Sequence, residues 1–216
     1  MKKKSTGLLF ITPFILFFML FWLIPFIYGI VMSLSKYSLI IGNQGFVGFS
    51  NYIKILVGDS MYHNSFLLGL KNTVIFTACT TPFLVLGSLG LALLLDRLPD
   101  KCKGIFRTIY FASYSVSVTA VAAVFVWLMK GNGGYLNNLM MNIGIIKKAV
   151  PWMEQQPFVW VSLTVATVWW TIGYNMMLFV NALNEIDPQL YEASAIDGAR
   201  YWKQFRYIIF PGIKNV

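Results

Sequence analysis

Four long apolar runs constrain this 216-residue chain more than any other feature of its sequence. A helix needs roughly 20 mostly apolar residues to cross a hydrocarbon core of about 30 Å. Four runs reach that length, at about 8–32, 73–95, 108–129 and 158–183. Only 12% of the residues are charged, against about 25% in an ordinary soluble domain. The sequence therefore predicts an all-α membrane protein, a helical bundle with four complete spans, and excludes a soluble fold.

The Lys and Arg residues lie between the apolar runs, where they set the orientation of membrane helices. We interpret the formal charge of +9 as topological signalling and attraction to anionic headgroups, and not as a nucleic-acid surface. A cytoplasmic N-terminus puts eleven of the 17 basic residues inside, so we predict a multi-pass protein of the plasma or inner membrane in that orientation. The eleven are Lys2, Lys3, Lys4, Arg97, Lys101, Lys103, Arg107, Arg200, Lys203, Arg206 and Lys214.

The fourth run carries a polar face. Five of its polar residues follow a three- and four-residue spacing, which places them on one side of a helix: Thr164, Thr167, Thr171, Tyr174 and Asn181. Asn175 lies beside Tyr174. Such a face either bonds neighbouring helices or lines an aqueous path for a neutral solute, because no charged residue interrupts it. The aromatic ring of Tyr174 beside the side-chain amide of Asn175 suits a sugar. The aromatic ring can stack on the apolar face of the sugar ring, and the amide can bond its hydroxyls. The candidate pathway residues are Thr171, Tyr174, Asn175 and Asn181.

The sequence shows no constellation for catalysis or metal binding. The stretch Gly131-Asn132-Gly133-Gly134 lacks the Lys and the flanking strand and helix of a phosphate-binding P-loop. His63 is the only histidine and has no partner at metal-ligand spacing. The acids form no embedded pair for hydrolytic chemistry. We therefore expect no enzyme activity, no metal and no cofactor on this chain.

A short helix is predicted directly after the fourth run. Asp187 is a good N-cap acceptor, and Pro188 is preset for the first helical position. Gly198 is a natural stop, because glycine readily takes the left-handed conformation that closes a helix. A second helix begins at Arg200. The first of these helices is too short to span, so we expect it to lie along the membrane surface as a docking element.

The residues of this segment follow a recognisable pattern: Glu192-Ala193-Ser194, Asp197-Gly198-Ala199, Phe205, Ile208 and Pro211. They resemble the EAA loop of ABC importer permeases, which reads E-A-A, three residues, G and a later proline, with Ser194 in place of the second alanine. Other stretches are similar to the carbohydrate branch of that family, among them Gly48-Phe49-Ser50-Asn51-Tyr52, Tyr135-Leu136-Asn137 and Trp170 to Asn175. The resemblance covers nearly the whole chain.

The resemblance implies a type I importer permease fold and a transport subunit of a binding-protein-dependent sugar importer. In that family the EAA helix sits in a groove of a separate ATPase subunit, which binds and hydrolyses the ATP. The implied partners are ABC ATPase subunits, a second homologous permease, an extracytoplasmic solute-binding protein and the lipid bilayer. The implied coupling residues lie in a cytoplasmic loop of about 184–206: Leu190, Tyr191, Glu192, Ala193, Ile196, Asp197 and Gly198.

Alternatives stay open at this point. In the family two further spans follow the EAA loop, whereas this chain stops at Val216, soon after a fifth apolar run starts near Tyr207. We therefore expect residues 1–216 to be one permease domain that is truncated at its C-terminus. One alternative is a regulatory or assembly subunit that keeps the docking loop and does not transport. Another is an importer permease for a different polar solute.

Overall fold

The computed structural model describes residues 3–58 and 60–214. The chain divides into two units, Met1–Lys71 and Asn72–Val216, and one long helix runs from the first into the second. Lys2 and Val216, on which the predicted topology and the predicted end of the domain partly depend, lie outside the described residues.

The first unit is a long apolar rod followed by a hairpin and a short helix. Its elements are α1 (Lys3–Phe18), one π-helical turn (Met19–Leu23), α2 (Ile24–Ser33), β1 (Ser35–Ser38), β2 (Gly42–Phe46), α3 (Ser50–Leu56) and the start of α4 (Met61–Asp96). The stretch Leu9–Ser33 is long and apolar enough to cross a membrane, and it lies within one residue of the predicted span 8–32.

The hairpin is tied to the end of α2 by the beginning of α3. β1 and β2 pair in antiparallel register, with Tyr37 opposite Asn43. The side-chain amide of Asn51 donates to the carbonyls of Ser33 at 2.8 Å and Ser35 at 3.0 Å. The Tyr52 hydroxyl donates to the Ser33 hydroxyl at 2.7 Å. These three bonds fix the hairpin against the helix that precedes it.

The second unit contains the rest of α4 and all later helices. Two of its helices, α4 and Phe158–Asn184, are long and apolar enough to cross a membrane, and they contain the predicted spans 73–95 and 158–183. The further elements are α5 (Asp100–Ala112), a 3₁₀ turn (Ser113–Ser115), α6 (Val118–Leu128), α7 (Tyr135–Asn142), α8 (Phe158–Asn184), α9 (Pro188–Ile196), α10 (Tyr201–Gln204), a π-helical turn (Phe205–Ile209) and α11 (Phe210–Ile213).

The predicted third span, 108–129, is broken. The helical stretches on its two sides meet at an angle of 89°, because the backbone is extended at Val116 and α6 starts only after Ser117. The Trp170 indole donates to the Val116 carbonyl at 3.0 Å, and the Ser113 hydroxyl donates to the Tyr110 carbonyl at 2.9 Å. The described residues thus hold three helices that can span, or four spans if the bent pair counts as one.

A buried seam joins α4 to α8. In its middle the hydroxyls of Thr80 and Thr164 share a hydrogen bond of 3.2 Å, and both side chains are buried. Towards the C-terminal ends of both helices the seam becomes wholly apolar and takes in the last helical turns. This part consists of Ala92, Leu95, Met176, Val180, Ala182, Leu183, Ile209 and Ile213. The core therefore lies directly beside the segment that follows α8.

The connection between α6 and α8 is organised by Asn137, which is only 1% exposed. Its Oδ1 accepts from the Val150 amide at 3.1 Å and the Trp152 indole at 2.8 Å, and its Nδ2 donates to the Gly131 carbonyl at 2.8 Å. The Trp152 carbonyl in turn accepts from the Ser162 hydroxyl in α8 at 2.9 Å. Because a buried amide is costly to leave unpaired, this chain of bonds fixes where α8 begins.

The backbones of α8 and α5 touch at Gly173. A Cβ atom built there would overlap the carbonyl oxygen of Tyr110 and lie 2.9 Å from the amide nitrogen of Phe111. Backbone atoms cannot move aside as a flexible side chain can, so this contact requires glycine. It brings the polar side of α8 against the bend between α5 and α6.

Replacing Gly173 by alanine is expected to lower the free energy of unfolding by about 1–3 kcal/mol, since overpacking forces the two helices apart. Gly90 in α4 is the matched control, because a Cβ there meets nothing within 4 Å. Alanine in a helix interior is favoured over glycine by up to about 1 kcal/mol, so Gly90→Ala should be neutral or stabilising. Thermal unfolding in detergent measures both variants, and equal midpoints would contradict the close contact.

Candidate functional site

The helix α9 is closed by local chemistry at both ends. The Asp187 carboxylate accepts from the Gln189 amide at 2.9 Å, and Pro188 occupies the first helical position. At the other end Gly198 has φ +70°. The Gly198 amide donates to the Ala195 carbonyl at 3.1 Å, and the Ala199 amide to the Ser194 carbonyl at 2.9 Å. These two bonds form a Schellman motif, so the helix has a fixed length and a fixed exit direction.

One side of α9 faces the chain itself. Tyr191 is partly buried and packs against the apolar core at the end of α4 and α8. Burial raises the pKa of its phenol above the ordinary value, and the Asp96 carboxylate and the Tyr201 phenol add to the rise. The Ser194 hydroxyl accepts from the Gln204 amide at 3.0 Å. The structure therefore gives Tyr191, one of the expected coupling residues, an internal packing position.

The other side of α9 is open. Leu190 is 52% exposed and Ile196 is 87% exposed, and Glu192 and Ala193 are exposed between them. Asp197 is the exposed C-cap residue. An acid framed by exposed aliphatic side chains on a short, rigid helix is a surface suited to a groove with a basic residue in it.

The start of α10, which follows α9, is attached to the residue after the C-terminal end of α4. The Arg97 guanidinium lies over the Tyr201 ring, 3.9 Å from its centroid. A cation over an aromatic face is worth about 0.5–1 kcal/mol at an exposed site. This contact, the packing of Tyr191 and the hydrogen bond between Ser194 and Gln204 together hold α9 against α4, α8 and α10.

An aromatic cluster lies where the polar side of α8 meets the bend between α5 and α6. The Tyr114 ring stacks on the Tyr174 ring, with centroids 4.8 Å apart, and on the Trp170 ring at 5.8 Å. Tyr114 and Tyr174 remain about 40% exposed. Tyr174 was predicted from the sequence, whereas Tyr114 was not. The three serines at 113–117 are the sequence signal for a bend that could have indicated Tyr114.

The predicted polar residues of α8 divide between this cluster and other positions. The Asn175 amide donates to the Thr171 carbonyl at 2.9 Å, and the Thr171 hydroxyl donates to the Thr167 carbonyl at 2.7 Å. These side chains lie beside Tyr174, and the Asn175 Oδ1 has no hydrogen-bond partner in the part of the chain that the structure describes. Thr164 is used in the helix seam. Asn181 is exposed two turns further along α8.

An open groove of about 460 Å³ lies along α5 beside this cluster. Its lining includes Arg107, Phe111 and Ser115 of the bent pair and Met177 of α8. The Arg107 Nε atom is buried, and no residue in the described ranges accepts a hydrogen bond from it. From the sequence, Arg107 was predicted only to mark the cytoplasmic side. No group of three His, Cys, Asp or Glu in residues 3–58 and 60–214 could hold a metal ion.

Comparison with known proteins identifies the family. The family model described as "Binding-protein-dependent transport system inner membrane component" matches residues 50–216. The chain belongs to this family, which confirms the family predicted from the EAA pattern. Such a component is a transport subunit of the inner membrane and not a catalytic subunit.

Individual relatives support the same assignment. A probable ABC transporter permease protein, YurN of Bacillus subtilis, is 30% identical over 100% of this chain and 72% of its own length. The lactose transport system permease protein LacF of Rhizobium radiobacter is 31% identical over 97% of this chain and 68% of its own. The arabinooligosaccharides permease AraP of Bacillus subtilis is 30% identical over 100% of this chain and 66% of its own.

A solved structure supports the fold. The crystal structure of a bacterial ABC transporter involved in the import of the acidic polysaccharide alginate superposes with a TM-score of 0.79. The sequence identity is 24%, over 97% of this chain and 69% of that one. This likeness confirms the predicted class, an all-α membrane bundle of the importer permease kind.

Proposed function

We propose that this chain is a single transmembrane permease domain of a sugar importer, that its N-terminus is cytoplasmic, and that a separate subunit binds and hydrolyses the ATP. The observation that carries the proposal is α9, a short helix fixed at both ends that turns an acid and aliphatic side chains outward. A second permease and an extracytoplasmic solute-binding protein complete the assembly that we propose. The position of α9 after α8 fits the predicted cytoplasmic side, where the basic residues concentrate.

The open face of α9 favours an ATPase groove as its partner. Leu190 and Ile196 gain from leaving water, by roughly 25 cal/mol per Å² of apolar area that a groove covers. Glu192 at the centre of this face would be costly to bury without a positive partner, so the groove must supply a basic residue. Since α9 is held to α4 and α8 through Tyr191 and the Arg97–Tyr201 contact, a partner that moves α9 also moves the spans.

The aromatic cluster favours a sugar as the solute. The partly exposed rings of Tyr114 and Tyr174 offer flat apolar faces. The Asn175 Oδ1, which has no partner among the described residues, can accept from a sugar hydroxyl. LacF and AraP are named for lactose and arabinooligosaccharides. A second solved structure like this chain holds an alginate ABC transporter in complex with an alginate pentasaccharide-bound periplasmic protein. These names support a saccharide as the transported solute and a solute-binding protein as a partner.

Replacing Tyr174 by alanine is expected to raise the KM of sugar uptake by about threefold to tenfold, because one aromatic stacking contact is worth about 0.5–1.5 kcal/mol. Tyr62→Ala is the control, since Tyr62 is an exposed tyrosine of the first unit. Uptake of labelled sugar into vesicles, measured over a range of concentrations, separates KM from the maximal rate. An unchanged KM for Tyr174→Ala would show that the aromatic cluster does not contact the transported sugar.

Arg107 favours a second candidate, an acidic saccharide. Arg107 lines the groove beside the aromatic cluster, and its buried Nε has no hydrogen-bond partner among the described residues. The rest of a guanidinium that lines a groove can pair with a carboxylate. Uptake of a neutral and an acidic oligosaccharide by wild type and Arg107→Gln decides between the two. Loss of acidic uptake alone would support the acidic solute, and equal loss of both would reject it. No uptake of either by wild type in the assembled importer would favour the non-transporting subunit.

A further inference from the structure

The tip of the β1–β2 hairpin has no part in the proposed function. It consists of three consecutive aliphatic residues, Leu39, Ile40 and Ile41, which are 95%, 95% and 73% exposed. Hairpin loops are ordinarily built from Gly, Asn, Asp, Ser and Pro. A contiguous aliphatic tip therefore calls for an apolar surrounding, either a protein surface or lipid.

Contacts with α2 show where this tip lies. The Tyr28 hydroxyl donates to the Tyr37 hydroxyl at 3.2 Å, and the two rings meet edge to face with centroids 6.4 Å apart. Tyr28 precedes the end of α2 at Ser33 by about 7.5 Å of helix rise. A strand that continued along the axis of α2 would carry Tyr37 about 13 Å beyond that end, and the hydroxyls could not meet. The hairpin therefore lies beside the last turns of α2.

The depth of the tip follows from the length of the apolar rod. The apolar stretch runs from Leu9 to Ser33, and about 20 residues suffice to cross the hydrocarbon core, so the core ends between about Gly29 and Ser33. Leu39 lines a cavity of about 620 Å³ together with Gly29 and Met32. The aliphatic tip is therefore level with the edge of the hydrocarbon layer.

The polar surroundings of the tip favour lipid over protein as its partner. Two lysines and two tyrosines line the same cavity: Lys36, Tyr37, Lys54 and Tyr62. Tyrosine rings concentrate at membrane interfaces, and lysine stems extend along apolar surface while the ammonium stays among the headgroups. The aliphatic side chains at the hydrocarbon edge correspond to the acyl chains of one leaflet, and the Lys and Tyr side chains around them correspond to its headgroup layer.

We propose that Leu39, Ile40 and Ile41 insert into the acyl chains of the leaflet at the hairpin end of α2. The inserted tip anchors the hairpin, and through Asn51 and Tyr52 it anchors α3, to the membrane. The anchor acts through lipid alone and does not depend on which solute the protein carries.

Fluorescence quenching by lipid and by water-borne ions tests this anchor. In a chain with Cys79→Ala and Cys102→Ser, a bimane label is attached at Ile40→Cys, at Ile41→Cys or at the exposed control Lys148→Cys. The protein is reconstituted into phosphatidylcholine and phosphatidylglycerol vesicles with brominated acyl chains. We expect bromine to quench the labels at 40 and 41 several-fold more than the label at 148, and aqueous iodide to show the reverse order.

Each other result overturns the proposal. Quenching of the labels at 40 and 41 by iodide and not by bromine would place the tip in water. Resistance to both quenchers would mean that protein covers it, either a second copy of the chain or, if the protection appears only on its addition, the solute-binding protein. Substitution at 40 or 41 removes little internal contact, because Ile40 is 95% and Ile41 73% exposed. The two positions serve as checks on each other.

Discussion

Replacing Glu192 by lysine is expected to abolish sugar uptake while the permease still inserts into the membrane. The Glu192 side chain is exposed and makes no ion pair among the residues that the structure describes. The substitution should therefore change the stability of the isolated chain little. In the assembled importer the new lysine would face the basic residue that Glu192 is proposed to pair with. Like charges at an interface cost several kcal/mol. Since each 1.4 kcal/mol is tenfold in affinity, docking should weaken by at least about 100-fold.

The matched control reverses the same charge at a neighbouring position. Glu185 is also an exposed acid, in the turn between α8 and α9, so Glu185→Lys changes the net charge equally without touching the open face of α9. Co-purification of the ATPase subunit and ATP-driven uptake are measured for both variants. Normal uptake by Glu192→Lys would count against α9 as the docking element. Equal loss of uptake in both variants would show that the effect comes from the change in net charge alone.

Replacing Gly198 by valine is expected to uncouple transport through the backbone alone. At φ +70° a residue with a Cβ costs about 1–2 kcal/mol, and a branched side chain costs more. A Cβ at this position would meet nothing within 4 Å, so the strain does not come from packing. The chain should escape it by opening the Schellman bonds at Ala195 and Ser194, which changes the exit direction of α9.

Asparagine at the same position separates backbone strain from any other effect of a side chain. Asn takes the left-handed conformation far more readily than valine, so Gly198→Asn should keep most of the uptake. The ATPase activity of the assembled importer with and without sugar-loaded binding protein measures the coupling. We expect the stimulation to disappear with valine and to persist with asparagine. Equal behaviour of the two variants would show that the left-handed turn has no role.

Sequence predicted α9 well because both of its ends depend on neighbouring residues only. Asp187 and Pro188 start the helix and Gly198 stops it through bonds within a few residues. The assignment of its faces could not be predicted in the same way. Helical spacing puts Tyr191 and Ser194 on a common side, but only the packing of α4, α8 and the last helical turns makes that side the inner one.

The bend in the third predicted span shows the limit of hydropathy. The mean hydropathy over 108–129 does not reveal that the backbone turns by 89°. The bend depends on another helix, because the Trp170 indole donates to the Val116 carbonyl that the bend leaves free. Serine hydroxyls compete for backbone groups and favour such breaks. The aromatic cluster depends on this bend, so Tyr174 could be predicted as part of one helix face, whereas its contact with Tyr114 could not.

The central claim, that an ATPase subunit covers the open face of α9, is tested most directly by thiol labelling at Ile196. In a chain with Cys79→Ala and Cys102→Ser, Ile196→Cys places a thiol at a position that is 87% exposed in the chain alone, with Glu185→Cys as the exposed control. We expect rapid reaction of both thiols with a water-soluble maleimide in the permease alone, and protection of position 196 only when the ATPase subunit is bound. Equal labelling of position 196 with and without a bound ATPase would contradict it.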